Sequence, residues 1–166
     1  MGGSYSIYKE DVAKYLKDKF KRNATILDVG AGRGTYYFYL SDYFVNIDAV
    51  EVFKPNIEKH HLESLYRKVY NENIKDFEYE HYDIIIFGDI LEHLEVKEAQ
   101  EVLKYALERC DEVIVAVPYM YPQGAIKDNI YEIHKQPDLT KENMLERYPD
   151  LKLLIGCDAY GYYIKK

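Results

Sequence analysis

The spacing of apolar residues changes period repeatedly along this chain. Tyr8, Val12, Tyr15, Leu16 and Phe20 recur at helical spacing and predict an amphipathic helix over 7–21. Thr25-Ile26-Leu27-Asp28-Val29 reads as a buried strand that stops at Gly30, and a second helix fits 35–44. The next strand is 47–52. Pro55 then suits the first turn of a helix that carries Ile57, Leu62, Leu65, Tyr66 and Val69 on one side. A short, weak strand is predicted at 73–77. The run 82–87 is apolar on both faces, as a central strand of a parallel sheet is. Ala99, Val102, Leu103, Ala106 and Leu107 mark another helix, and 112–117 another buried strand, ended by Pro118. Residues 118–137 have no clean period and predict a long loop with at most one helical turn. Loops of that length in a compact domain are usually functional or mobile. A short helix fits 141–147. The segments 151–155 and 160–164, separated by Gly156-Cys157-Asp158-Ala159, predict an antiparallel hairpin. Strands alternating with helices imply an α/β fold with a largely parallel sheet. No repeat or linker divides the chain, so one domain is expected over 1–166.

Composition narrows the function. Lys and Arg number 22 and Asp and Glu 29, a net charge of −7 in 166 residues. This argues against a general nucleic-acid binder, which needs a basic footprint to displace counterions from phosphates. No apolar run approaches the roughly 20 residues of a membrane span. The start Met-Gly-Gly-Ser-Tyr-Ser lacks a basic segment followed by an apolar stretch, so no secretory leader is expected and a cytoplasmic location is. Cys110 and Cys157 form no CxxC and no metal-ligand spacing, and read as free thiols. Nineteen tyrosines and no tryptophan put aromatic area with polar tips at half-buried sites or pocket rims.

The most informative stretch is Asp28-Val29-Gly30-Ala31-Gly32-Arg33-Gly34-Thr35, where a buried strand runs into alternating glycines and then a helix. Glycine permits positive φ and lets a ligand approach the backbone. The spacing is Gly-x-Gly-x-Gly, not the Gly-x-Gly-x-x-Gly of dinucleotide sites. Asp28 would repel a diphosphate; a ligand with an amino group or a cationic sulfur would welcome it. Glu51 lies 21 residues after Gly30, at the end of the second strand. In a doubly wound sheet that end adjoins the glycine turn, where a carboxylate can accept from both ribose hydroxyls.

With Asp28, Gly30, Gly32, Gly34, Glu51 and the later Gly88-Asp89-Ile90-Leu91-Glu92-His93-Leu94, the chain resembles the class I S-adenosylmethionine-dependent methyltransferases. Its second motif is most similar to the branch that includes ubiquinone-biosynthesis O-methyltransferases. The resemblance implies a doubly wound, mostly parallel seven-stranded sheet with an antiparallel last strand and helices on both faces. It implies S-adenosylmethionine as cofactor. Gly30, Ala31 and Gly32 would line its methionine part, Gly34 would belong to the same cofactor-binding turn, Asp28 would lie near its amino group, directly or through water, and Glu51 would hold its ribose. Asn73 and Ile74 would flank adenine, with Asp76-Phe77 as rivals for that role, and Asp89 and Ile90 would close the pocket.

A hydroxyl acceptor needs a base or a metal. His93, at the crevice end of the fourth strand, is the first candidate base, and His134, in the 118–137 loop, is the second. Tyr119 and Tyr121 follow the fifth strand at the ligand end and are candidate acceptor contacts. His60, His61 and His81 read as surface residues. No set of histidines and acids has metal spacing along the chain, so no metal is predicted. The Asn/Asp-Pro-Pro-Tyr pattern associated with amino methylation of nucleic-acid bases is absent after the fourth strand. The reading is methyl transfer to a small molecule, at oxygen by resemblance. Its rival is a cofactor-binding module without transfer activity, acting as a partner or regulatory subunit. With no large insertion, the acceptor pocket must come from the first helix, the 118–137 loop or a second subunit, which leaves room for a homo-oligomer.

Overall fold

Alternate side chains of each inner strand enter opposite cores. Ile26, Ile84, Ile86, Ile114 and Ala116 face one apolar cluster; Leu27, Val29, Ile85, Phe87, Val113 and Val115 face the other. Strands apolar on both faces need a helical layer on each side, which is what makes a sheet doubly wound. A computed structural model describes residues 6–166; the start read above for a leader lies, as far as Tyr5, outside the described residues.

The strands are β1 (Thr25–Val29), β2 (Asn46–Val50), β3 (Lys68–Tyr70), β4 (Tyr82–Gly88), β5 (Cys110–Pro118), β6 (Leu151–Gly156) and β7 (Tyr160–Lys165). Their order is β3-β2-β1-β4-β5-β7-β6, with β7 antiparallel to both neighbours and the other pairings parallel. Helices α1 (Lys9–Lys19), α2 (Thr35–Leu40), α3 (Lys54–Lys59) and α4 (Leu62–Leu65) cover one face; α5 (Val96–Leu107) and α6 (Lys141–Arg147) cover the other. α5 starts where Glu98 turns back to accept from the Glu95 amide, and α6 where Thr140 and Asn143 cap each other. Among the described residues no helix is long and apolar enough to cross a membrane.

Three expectations need correction. The helix predicted to carry Ile57 through Val69 is broken at His60 and His61, the latter in the left-handed region at φ 51°. Val69 belongs instead to β3, paired with Ala49 of β2, where it satisfies backbone groups that β2 would otherwise leave unpaired at the sheet edge. The strand predicted at 73–77 is a turn: the Asp76 and Phe77 amides donate to Asn73 O, and the Asn73 side chain accepts from Lys75 N. The second helix ends at Leu40 rather than 44.

Candidate active site

The sheet reverses its winding between β1 and β4, and the strand ends on either side of that point face one cavity of about 570 Å³. One wall of it is the glycine turn. Gly30, Gly32 and Gly34 have φ of 68°, 54° and 75°, a region costly for other residues. At Gly30 a Cβ would lie 2.1 Å from Ile90 Cδ1, so glycine is required there by packing as well as by φ. At Gly32 a Cβ would meet nothing nearer than Gly30 O at 3.7 Å, so that stretch of backbone is open to a ligand.

Glu51 is 5% exposed and braces this turn. Its carboxylate accepts from Gly32 N and Phe53 N, both at 2.8 Å. Burial pushes its pKa up, and these two amides oppose the shift. A carboxylate has about four lone-pair sites, so beyond these amides and the Asn56 side chain acceptor capacity remains for a hydroxyl donor.

Of the residues singled out from the sequence, Gly30, Ala31, Gly32, Glu51, Asp89 and Ile90 line the cavity. Asn73 and Ile74 line it too, whereas Asp76 and Phe77 do not. His93, His134 and Tyr121 line it as well. Three residues lie elsewhere. Asp28 alternates away from the cavity with Ile26, and its carboxylate accepts from Tyr66 Oη at 2.5 Å. Burial raises its pKa to about 7, opposed by the Tyr66 hydrogen bond and the Lys9 charge. Gly34 packs under Leu65, at 3.2 Å from where its Cβ would be. Tyr119 bonds the Tyr163 hydroxyl rather than lining the cavity.

Sequence reasoning passed over several residues. Lys9, 1% exposed, donates to the Tyr36 and Tyr162 hydroxyls at 3.3 and 3.4 Å. Burial lowers its pKa, while the charges of Asp89 and Asp28 hold it up. No pattern flagged it, since a lysine at a helix start normally faces water. Gln136, 2% exposed, ties the 119–137 loop to the segment after β4. Its amide donates to Leu91 O at 2.8 Å and Leu94 O at 3.1 Å, while the Lys135 and Gln136 backbone amides both donate to Glu92 O. The loop contains one 3-10 turn, Ile130–Glu132, and is strapped down rather than loose.

That strap sets His134 against His93, with ring centroids 4.6 Å apart and edge to face. His93 Nδ1 lies 3.3 Å from Ile133 O, and His134 Nδ1 lies 2.6 Å from Tyr121 O. A carbonyl can only accept, so each Nδ1 donates there and Nε2 is the ring nitrogen left for another partner. Burial, then the neighbouring His134, lowers the His93 pKa to about 4. Glu92, 1% exposed, sits beside them. Its Oε1 is 4.0 Å from His93 Nε2, and among the described residues neither carboxylate oxygen has a hydrogen-bond partner from another residue. Burial, then the charge of Asp89, pushes its pKa well up.

The sheet order, the antiparallel β7 and the glycine turn at the winding reversal define the Rossmann-like methyltransferase class. A family model described as a methyltransferase domain matches residues 5–110, and the chain belongs to that family. Solved structures share the fold at low identity. An S-adenosylmethionine-dependent methyltransferase from Clostridium acetobutylicum ATCC 824 superposes with a TM-score of 0.73 at 12% identity, covering 99% of this chain and 92% of that one. Magnesium protoporphyrin IX methyltransferase from Synechocystis PCC 6803, with SAM bound, gives 0.69 at 11% identity, covering 100% and 87%. Mitomycin 7-O-methyltransferase gives 0.65 at 13%, covering 95% of this chain and 52% of that one. No curated protein matches the chain.

Proposed function

We propose that this protein transfers a methyl group from S-adenosylmethionine to the hydroxyl oxygen of a small molecule. The observation that carries the reading is one cavity lined by an open glycine backbone, the Glu51 carboxylate and two histidine rings. The residues suit the cofactor. Gly32 leaves its backbone free for close approach, and Glu51 keeps acceptor capacity for the ribose hydroxyls. Asn73 and Ile74 stand where an adenine would lie, and Ile90 closes over Gly30. Asp28 acts from behind the turn, by its field, on an amino group rather than by contact.

When bound, S-adenosylmethionine supplies a methyl group already activated by its sulfonium. The chain's own work is then to hold the acceptor in line with the sulfur–carbon bond. The strapped 119–137 loop roofs the acceptor end, and Tyr121 and Tyr131 offer aromatic faces to an acceptor's apolar body. His93 and His134 are the nitrogen groups placed beside the acceptor hydroxyl.

Calorimetry with S-adenosylmethionine, S-adenosylhomocysteine and NAD tests the reading. The two adenosyl sulfur compounds are expected to bind and NAD is not. Glu51→Ala is expected to weaken S-adenosylhomocysteine by about 1–3 kcal/mol, the cost of a lost buried acceptor. Equal affinity in that variant would remove Glu51 from ribose binding, and binding of NAD alone would overturn the proposal.

A further inference from the structure

The acceptor end of the cavity contains a carboxylate that nothing in the described chain satisfies. Glu92 is 1% exposed, and both its oxygens lack a partner from another residue. Ionised, such a group costs several kcal/mol in a protein interior. Protonated, it leaves a buried hydroxyl unpaired, at about 1–3 kcal/mol. Folded chains seldom keep such a group unless something else binds it.

Two imidazoles lie beside the same carboxylate. One donor atom each from Glu92, His93 and His134 lies within 4.8 Å of the others. Both rings have Nδ1 committed to a backbone carbonyl, Ile133 O for His93 and Tyr121 O for His134. A metal-ligating histidine is held in this way: the second ring nitrogen donates to a carbonyl or carboxylate, which fixes the tautomer and aims the other nitrogen. The two histidines come from segments 41 residues apart, joined by the Gln136 strap.

We infer that Glu92, His93 and His134 form a binding site for one divalent transition ion at the acceptor end of the cavity. This rests on the methyltransferase reading only for the ion's role, not for its binding. Two imidazoles and one carboxylate suit zinc, manganese or iron(II) better than calcium or magnesium, which prefer all-oxygen sets. Ligand bonds of about 2.0–2.2 Å require the three donors to close by roughly an ångström from their present spacing. Three protein ligands leave positions open on the cavity side, where an acceptor hydroxyl can bind. A hydroxyl held there is more acidic and releases its proton to water. Its oxygen forms the new bond to the methyl carbon while the sulfur–carbon bond breaks, and that electron pair returns to sulfur.

The described residues contain a second cluster, His81, Asp83 and Asp111. It is more exposed, and Asp83 already accepts from the Thr25 amide and hydroxyl. It serves as the internal control.

The test is equilibrium dialysis of the metal-stripped full chain against Zn²⁺ and, separately, Mn²⁺, with the bound metal counted. One equivalent is expected for the unaltered protein and for His81→Ala. Glu92→Gln and His134→Ala are expected to bind at least tenfold more weakly. His134 is half-buried on the loop, so thermal melting of that variant is expected to stay near that of the parent and a folding defect does not confuse the result. Failure to bind either ion stoichiometrically, or undiminished binding in both Glu92→Gln and His134→Ala, would overturn the site. Loss confined to His81→Ala would overturn it equally. S-adenosylhomocysteine titrated into the same samples separates the two ideas: binding of the nucleoside without metal defeats the ion site alone, whereas metal without nucleoside defeats the methyltransferase reading alone.

Discussion

Glu51 and Glu92 are both buried carboxylates in one cavity, and both have their pKa pushed up first by burial, yet they are built differently. Glu51 accepts from two backbone amides and braces the turn it serves. Glu92 accepts from no other described residue. The wall built on the glycine turn, the donor wall of the proposed function, is therefore braced by hydrogen bonds of its own. The acceptor wall consists of side chains from distant segments and holds an unmet electrostatic demand. Preorganised backbone suits a constant cofactor; a wall of side chains is where specificity and chemistry can differ.

The largest expected effect strikes the donor wall. Gly30→Ala combines positive φ with a collision against Ile90 Cδ1. It should cost about 2–5 kcal/mol of stability, the sum of backbone strain and overpacking. Chemical denaturation reads it, and a change below ~0.5 kcal/mol would show that this wall yields rather than resists.

The acceptor wall should break more locally. Gln136→Ala strands Leu94 O, leaves Leu91 O with only the Leu94 amide, and also removes the partner of the Tyr148 hydroxyl. A loss of about 2–3 kcal/mol is expected. Hydrogen exchange should quicken in 119–137 while β1 and β2 stay protected, and S-adenosylhomocysteine affinity should fall less than it does for Glu51→Ala. Uniform loss of protection would deny that the two walls are separable.

A third test concerns Asp28, which lies behind the turn. Its pKa is about 7 in the fold against an ordinary 3.8. Between those values the unfolded chain has released the proton and the folded chain has not, so rising pH favours unfolding; above about 7 both are ionised and the effect is constant. The stability of the parent relative to Asp28→Asn should therefore decline from about pH 4 to 7, by at most ~1.4 kcal/mol per pH unit, and level off beyond. Melting curves of both proteins across that range check the sign. A difference that grows with pH would mean that Lys9 and Tyr66 hold the carboxylate ionised.

The donor wall was legible in the residues because it is local. Strand, alternating glycines and helix occur within Thr25–Leu40, and the second strand delivers Glu51 beside them by parallel pairing. Even there, Asp28 and Gly34 were assigned to the ligand and turned out to face Tyr66 and Leu65, since strand alternation and helix packing aim them away. The acceptor wall was much less legible. His93 and His134 were singled out one by one, but their meeting depends on Gln136, which carries no motif. Lys9 was missed because its burial depends on tyrosines from α2 and β7.

Short-range chemistry thus settled the glycine turn after the first strand and which strands are apolar on both faces, because φ preference and periodicity act within a few residues. The edge strand at Lys68–Tyr70, the strap over Leu91–His93 and the gathering of Glu92, His93 and His134 came from packing alone. Those arrangements satisfy buried hydrogen-bonding groups between segments far apart in the chain, and no local pattern encodes which carbonyl a distant amide will find.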